Sequence, residues 1–173
     1  GTALSLYFGH RKSVDLDWFS GEQIGDALVL AAQIKEAGIR FEMDTAAAGT
    51  LHGAVNNIRV TFLEYRYPLL RPFEFISSPQ FKIASLDDLA CMKLSAIAQR
   101  GARKDFCDIY ALGTKPRPRS EMLKLYQKKF CMKDIAPVLY GLNYFDDAER
   151  ERMPLMLWDV DWITIRKTIQ NWL

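Results

Sequence analysis

The chain has 173 residues, of which 49% are apolar and 25% are charged, a composition that excludes a disordered protein and is typical of a soluble globular domain. The net charge of +2 is too small to attract nucleic acid by bulk electrostatics, so any basic surface must be local. No apolar run is long enough to cross a bilayer and no signal peptide begins the sequence, so we expect a cytoplasmic protein with no membrane contact.

The first half of the chain alternates helical and strand patterns. A short helix is predicted to stop at Gly9, and we expect a further strand to precede it in the whole protein. Asn56 and Asn57 tolerate the left-handed backbone of tight turns and predict a hairpin. The predicted elements of this half are helices 2–8 and 22–37, and strands 14–19, 39–44, 50–55, 58–65, 73–75 and 81–83.

From Ser85 onward every pattern is helical. Ser85 and Asp88 have the spacing of a capping box, and Pro116 and Pro118 break the chain before the later helices. The predicted helices are one that starts at Ser85, followed by 104–112, 119–130, 135–144 and 162–172. The sequence therefore predicts an α+β fold, with a core over residues 1–84 and a helical region over 85–173.

Asp15 and Asp17 lie at alternate positions of the predicted strand 14–19, so both side chains point to one face of the sheet. Like charges on one face repel each other. Their α-carbons are about 6 to 7 Å apart, and both carboxylates can reach shared Mg²⁺ ions, which prefer carboxylate and phosphate oxygens. The alternative is a solvated strand face whose acids pair with Arg11 and Lys12.

A phosphate group fits the predicted start of the first helix. Gly1 and Thr2 would offer backbone N–H groups, a hydroxyl and the positive end of the helix. Phosphoryl and nucleotidyl transfer need such an arrangement beside metal ions, which polarise the phosphorus and carry the charge on the leaving pyrophosphate.

Lys93 falls in the middle of the apolar arc of the helix that starts at Ser85. A solvated lysine belongs on the other side, with Asp87 and Asp88. Arg100 lies on the same arc as Lys93. One interpretation is that both basic side chains snorkel out of the apolar face. The other is that Lys93 reaches an anionic site, in which case its partner is a phosphate or a carboxylate.

The stretch "RGARKDFCDIYAL", residues 100–112, places Asp105 and Asp108 on one face of a helix that is apolar on most sides. Enclosed acids need partners. In one interpretation Asp108 pairs with Lys104 and Asp105 serves the helix dipole. In the other, these acids hold Arg100 or Lys93 in position, or contact a metal ion or a nucleotide themselves.

Three blocks, "GTALSLYFGHRKSVDLDWFS", "SLDDLACMKLSAI" and "RGARKDFCDIYAL", together resemble the nucleotidyltransferase family of AbiEii/AbiGii-type toxins from abortive-infection and toxin–antitoxin systems. The resemblance covers residues 1–112. It implies a minimal polymerase-β-like nucleotidyltransferase core whose active site is completed by the helical region.

The resemblance also implies an activity, which is the transfer of a nucleoside monophosphate from an NTP with Mg²⁺. The acceptor is expected to be RNA, at the acceptor end of tRNA, and a cognate antitoxin protein is an expected partner. The implied catalytic residues are Asp15, Asp17, Lys93, Asp105 and Asp108, with Asp15 and Asp17 as the metal ligands. The implied nucleotide-binding residues are Gly1, Thr2, Lys93, Arg100 and Lys104.

The sequence departs from the superfamily pattern at one position. A third carboxylate is expected on a neighbouring strand, where "NIRVTFLEY" has Thr61, and threonine is a poor Mg²⁺ ligand. Glu42, Asp44 or Glu64 could substitute, or Asp105 could approach from its helix. Two alternatives therefore stay open: a non-catalytic nucleotide- or protein-binding domain of this fold, and a transferase that acts on a small molecule or a protein.

A basic segment between residues 115 and 133 could follow an RNA backbone, although such runs are also typical of solvated helix faces. His10 and His52 lack the sequence neighbours that a catalytic histidine needs. The three cysteines, Cys91, Cys107 and Cys131, are predicted to be reduced and buried. The basic residues of the segment are Lys115, Arg117, Arg119, Lys124, Lys128, Lys129 and Lys133.

Overall fold

The computed structural model describes residues 1–75, 81–114 and 119–172. The chain forms two compact units. Unit 1 comprises Gly1–Thr2 and Ser13–Tyr67, and unit 2 comprises Ala3–Lys12 and Pro68–Leu173. The units differ in extent from the predicted parts 1–84 and 85–173.

Eight helices and six strands are found in the described ranges. In chain order they are α1 Thr2–Phe8, β1 Asp15–Ser20, α2 Ala27–Glu36, β2 Phe41–Ala47, β3 Thr50–Val55, β4 Ile58–Glu64, β5 Glu74–Phe75, β6 Lys82–Ile83, α3 Leu86–Gln99, α4 Arg103–Gly113, α5 Arg119–Phe130, α6 Ala136–Asn143, α7 Asp146–Arg150 and α8 Trp162–Gln170.

Unit 1 is a mixed four-stranded sheet with α2 on one face. The strand order is β1-β4-β3-β2, in which β1 is parallel to β4 and the other neighbours are antiparallel. The core under α2 is formed by Ala27, Ala31, Phe41 and Leu51. This mixed sheet with helices confirms the predicted α+β class.

Two details of unit 1 follow from backbone chemistry. Asn56 and Asn57 have φ values of 50° and 64°, so the predicted asparagine turn is confirmed. Helix α2 begins five residues later than predicted, because Gly25 has a φ of 66° and the Asp26 carboxylate caps the helix by accepting from the Leu28 N–H at 2.8 Å. The side chain of Asp26 therefore fixes where the helix starts.

Unit 2 is mostly helical and packs around α3. Helix α3 packs against α4, α5 and α6, and α8 packs against α4 and α6. Strands β5 and β6 form a two-stranded ribbon. Helix α1 contributes Leu4, which is fully buried. Large side chains at the centre of this core are Leu94, Phe106, Ile109, Met122, Leu142 and Ile165.

The structure of unit 2 differs from the sequence analysis in three respects. Helix α7 has only five residues, too few for a hydrophobic period, and was not predicted. Cys91 and Cys107 are free and buried as predicted, but Cys131 is exposed. Asp87 and Asp88 are buried rather than solvated.

No helix in the described ranges has the length and apolar character to cross a membrane.

Candidate active site

The acid pair of β1 lies on the sheet face opposite α2. Val60 is buried on the α2 side, so its neighbours in the strand, Arg59 and Thr61, point the other way. Asp15 is the cross-strand partner of Arg59, and Asp17 is the partner of Thr61. The two aspartates therefore share one face, as the alternation of residues 14–19 predicted.

The cation that compensates Asp15 is Arg59. Its Nε lies 3.0 Å from Asp15 Oδ1, and its side chain is 76% exposed. The predicted pairing of these acids with Arg11 is wrong, because the Arg11 guanidinium binds Asp108, and the pairing with Lys12 stays a prediction. The Asp15 side chain is 24% exposed, so a metal ion that takes the place of the guanidinium must compensate a partly buried carboxylate.

The Thr2 side chain is fixed to the segment that leads into β1. Its hydroxyl lies 2.9 Å from Ser13 Oγ and donates to the backbone carbonyl of Asp15. Helix α1 begins at this threonine and has seven residues. The phosphate-binding role of Gly1 and Thr2 stays a prediction.

The position beside Asp17 on β4 is a hydroxyl, Thr61, and the nearby glutamates do not replace it. Glu64 lies on the opposite face, where its Oε1 accepts from the Ile24 N–H at 2.8 Å and its Oε2 pairs with Arg66 at 2.8 Å. Glu42 shares the face of Asp17, but it lies on β2, three strands from β1. The imidazole of His52 on β3 is 3.2 Å from Thr61 Oγ1.

Unit 2 contains a buried ion network built from α3, α4 and the segment that follows α1. Lys93 Nζ lies 2.8 Å from Asp105 Oδ1 and 2.7 Å from Asp108 Oδ2. Arg100 contributes two hydrogen bonds to Asp105, from Nε at 2.8 Å and Nη2 at 3.1 Å. Both carboxylates are fully buried, whereas the Arg100 side chain is 56% exposed.

The segment after α1 completes the network. Arg11 binds Asp108 through both edges of its guanidinium, with Nε at 2.7 Å from Oδ1 and Nη2 at 2.9 Å from Oδ2. His10 Nε2 lies 2.8 Å from the same Oδ1, and its ring meets Trp158 edge-on. The network thus has three permanent cations, from Lys93, Arg100 and Arg11, and two carboxylates. It carries one positive charge in excess even when the His10 imidazole is neutral.

Burial and charge oppose each other in the pKa values of this network. Burial acts to raise the pKa of Asp108, but the hydrogen bond from His10 and the charges of Lys93 and Arg11 hold it far below the usual range. Burial acts to lower the pKa of Lys93, but the two carboxylates raise it above the ordinary lysine value. Asp108 and Lys93 are therefore both charged at neutral pH.

A second buried ion pair, between Asp88 of α3 and Lys129 of α5, also binds the loop at Pro68. Lys129 Nζ donates to Asp88 Oδ1 at 2.7 Å and to the Pro68 carbonyl at 2.8 Å. The Asp88 carboxylate also accepts from the Leu70 N–H at 2.9 Å and from the Ser85 hydroxyl at 2.7 Å. The capping role of Ser85 is confirmed, since its hydroxyl accepts from the Asp88 N–H at 3.2 Å.

A model of the family "Nucleotidyl transferase AbiEii toxin, Type IV TA system" matches residues 1–170. The chain belongs to this AbiEii family. It is accordingly a nucleotidyltransferase of a toxin–antitoxin family, with a nucleotide substrate and a cognate antitoxin, as the three sequence blocks indicated.

The AbiEii assignment agrees with the other similarities that the chain has. An uncharacterized protein of Aquifex aeolicus, aq_aa25, is 39% identical over 153 residues, which cover 87% of this chain and 74% of that protein. The crystal structure of JHP933 from Helicobacter pylori has a TM-score of 0.55 at 19% identity and covers 99% of this chain and 81% of its own. A candidate nucleotidyltransferase from H. pylori has a TM-score of 0.51 at 16% identity over 99% and 83% of the two chains. The two structures support the fold.

The sequence-predicted site residues of this AbiEii chain fall into two groups. Unit 1 brings together Thr2, Asp15 and Asp17 through β1 and the segment before it. Unit 2 brings Lys93 and Arg100 to Asp105 and Asp108, the carboxylate partners that the buried position of Lys93 required. The snorkelling interpretation of Lys93 is wrong, because its side chain is 9% exposed.

Two sequence predictions about charged residues are wrong, one on the partner of Asp108 and one on the basic segment 115–133. Asp108 pairs with Lys93, Arg11 and His10 instead of Lys104. Lys129 of the basic segment is buried on Asp88 and offers no charge to RNA, whereas Lys124, Lys128 and Lys133 are exposed. Lys115, Arg117 and the side chain of Arg119 lie outside the described residues. The catalytic and nucleotide-binding roles, including that of Lys104, stay predictions.

Sequence reasoning missed His10 and Arg11 as parts of the network. The sequence showed that Lys93 and Arg100 are too few partners for two enclosed carboxylates that need several hydrogen bonds each, but it did not show which residues supply the others. The remaining hydrogen bonds come from His10 and Arg11, which precede Asp108 by 98 and 97 residues. Their distance of almost a hundred residues from Asp108 hid the contact.

Proposed function

We propose that this chain is a Mg²⁺-dependent nucleotidyltransferase that moves a nucleoside monophosphate from an NTP to RNA, at the acceptor end of tRNA, and that its cognate antitoxin opposes this activity in the cytoplasm. The observation that carries the proposal is that Asp15 and Asp17 share one sheet face. Thr61 stands beside them on β4, at the position where the superfamily pattern has a third carboxylate. Abortive infection is the setting that the family resemblance implies.

The donor set suits a metal ion that the substrate helps to hold. In the described ranges no group of three or more His, Cys, Asp or Glu side chains is arranged around a common metal position, so this is not an all-protein cage. Mg²⁺ usually keeps several waters and takes one or two carboxylates plus substrate phosphates. Asp15 and Asp17 supply that number of carboxylates. When bound, Mg²⁺ would polarise the α-phosphate and offset the charge on pyrophosphate.

The residues themselves have separate tasks in this proposal. Asp15 would hold the ion in place of Arg59, which would leave the Arg59 guanidinium for the anionic substrate. Thr2 holds the start of β1 through the Asp15 carbonyl. The role of Arg100 in binding an anionic group stays a prediction of the family resemblance, and its side chain is 56% exposed. Lys93, Asp105 and Asp108 keep Arg100 oriented.

The exposed lysines of the basic segment support an RNA acceptor. Lys124 and Lys128 lie one turn apart on α5, and Lys133 follows that helix. A row of solvated lysines can follow a phosphate backbone and gives binding that weakens with salt. A protein or a small molecule offers no such row of phosphates, so RNA is the acceptor that these charges favour.

The test is to identify the labelled product. Purified protein is incubated with each α-labelled NTP and Mg²⁺, with total cellular RNA, with RNA-free protein extract, or with small-molecule extract. We expect label on RNA of tRNA size, and loss of the label when Mg²⁺ is chelated or when Asp15 is replaced by Asn. Label on protein or on a small molecule would overturn the RNA acceptor, and no label with any NTP would overturn the proposed activity.

The matched control is Glu42→Gln. Glu42 lies on the same sheet face as Asp15 and is also paired to an exposed arginine, Arg40, at 3.6 Å. Because β2 is three strands away from β1, we expect the control to retain wild-type labelling. Equal loss in both variants would mean that the charge of the whole face matters and that Asp15 has no specific role.

A further inference from the structure

His52 lies in the same cross-strand row as the metal-binding candidate Asp17. Asp17 pairs in register with Thr61 on β4, and Thr61 pairs with His52 on β3. Neighbouring strands are about 4.8 Å apart, so the α-carbon of His52 is about 10 Å from that of Asp17. The imidazole side chain is exposed on this face and can reach a molecule bound above Thr61.

The hydrogen bond between His52 and Thr61 restricts the imidazole. Nδ1 of His52 lies 3.2 Å from Thr61 Oγ1. If Nδ1 carries the proton, it donates to the hydroxyl oxygen, and Nε2 keeps a lone pair that can accept a proton. This is the arrangement in which a third group orients a base for catalysis.

Nucleotidyl transfer needs a proton acceptor near the attacking hydroxyl, and the two aspartates of β1 and the two glutamates described above are unsuited to that task. Asp15 and Asp17 are the proposed metal ligands. Glu64 lies on the opposite face and is held by Ile24 and Arg66. Glu42 lies one strand beyond His52. His52 is thus the basic group nearest to Thr61 on the side away from Asp17.

We propose that His52, oriented by Thr61, is the group that accepts the proton of the acceptor hydroxyl, a role that rests on the nucleotidyltransferase function proposed above. Nε2 takes the hydroxyl proton while the oxygen forms a bond to the α-phosphorus of the NTP. The bond from that phosphorus to the bridging oxygen breaks, and pyrophosphate leaves with the electron pair. The imidazolium then returns its proton to solvent. Thr61 is a positioning residue in this step.

The first test is a rescue experiment in the full chain. General-base catalysis contributes about 10²- to 10⁴-fold, so His52→Gln should lower kcat by about a hundredfold or more with a smaller change in KM for the NTP. Thr61→Asp places a carboxylate beside Asp17. The double variant His52→Gln with Thr61→Asp should have a kcat at least about tenfold higher than that of His52→Gln alone. Thr45→Val, on the other side of His52 in the same row, is the control and should keep wild-type kcat.

The second test reads the imidazole without activity. The chain has two histidines, His10 and His52, so ¹⁵N-histidine spectra of wild type and His52→Gln assign both rings. We expect the Nδ1–H tautomer for His52 in wild type and a shift towards Nε2–H in Thr61→Val. An Nε2–H tautomer in wild type would overturn the proposal, because Nε2 would then have no lone pair to offer.

The outcomes separate this inference from the function on which it rests. If Asp17→Asn abolishes transfer while His52→Gln stays within about twofold of wild type, His52 is not the base and the proposed function stands. If Asp17→Asn retains transfer, the proposed function fails. A loss in His52→Gln that Thr61→Asp does not relieve would also overturn the inference, because it would indicate a merely structural role.

Discussion

Replacing Asp108 with Asn tests the buried network of unit 2. The carboxylate accepts from His10, from two nitrogens of Arg11 and from Lys93. An amide of the same shape removes the negative charge and turns an NH₂ group towards Lys93 and Arg11. Breaking one partner of a buried ion pair costs about 3–5 kcal/mol, which lowers the folding equilibrium constant by about two to three and a half orders of magnitude.

The assay is urea unfolding at pH 7, followed by tryptophan fluorescence, because Trp158 packs against His10 and reports on this unit. Glu42→Gln is the reference variant; its pair with Arg40 is exposed and should cost less than about 1 kcal/mol. A cost below about 1 kcal/mol for Asp108→Asn would refute the view that the network stabilises the unit.

The same variant has a predicted pH dependence. The pKa of Asp108 is held below its unfolded value of about 3.9. Its stabilisation is therefore fully present above about pH 4 and is lost as the pH falls through the folded pKa. The difference in unfolding free energy between wild type and Asp108→Asn should shrink below about pH 4, and a constant difference down to pH 2 would contradict this assignment.

Three further predictions follow from contacts elsewhere in the chain. Lys129→Met leaves a buried carboxylate unpaired and should lower the unfolding free energy measured in urea by about 3–5 kcal/mol; a change under about 1 kcal/mol would show that the pair is dispensable. Gly53→Ala puts a methyl group 2.4 Å from the ring of Phe41 and 2.5 Å from the Glu42 carbonyl oxygen, so overpacking should cost about 1–3 kcal/mol and lower the Tm in a thermal melt, whereas an unchanged Tm would mean that both the ring and the β2 backbone yield without cost. Arg59→Gln removes the cation that competes for Asp15, so titration calorimetry should find tighter Mg²⁺ binding, and weaker binding would indicate that Arg59 helps to hold the ion's ligands.

Local signals in the sequence predicted much of unit 1. The alternation at residues 14–19 placed Asp15 and Asp17 on one face, and Asn56 and Asn57 marked the hairpin turn. These features depend on periodicity and turn chemistry within a few residues of each other. The start of α2 was misplaced because a glycine and a capping aspartate overrode an amphipathic pattern that continued upstream.

Contacts between distant residues were beyond the sequence. The burial of Lys93 required an anionic partner, and the nearby acids of α4 were predicted as candidates. Arg11 and His10 reach Asp108 only because α1 packs in unit 2, and Lys129 is buried because it pairs with Asp88. A charge run does not reveal which of its lysines faces a buried acid, since one position in a helix can be enclosed while its neighbours are solvated.

Pyrophosphate release by Asp17→Asn tests the central claim most directly. Wild type, Asp17→Asn and Glu42→Gln are compared with NTP, Mg²⁺ and RNA, after circular dichroism has established that all three are folded. The metal's charge stabilisation is worth several kcal/mol, and each 1.4 kcal/mol is tenfold in rate. We therefore predict a loss of about a hundredfold or more in Asp17→Asn and wild-type release in Glu42→Gln. Undiminished release by Asp17→Asn would contradict the assignment of this sheet face as the active site.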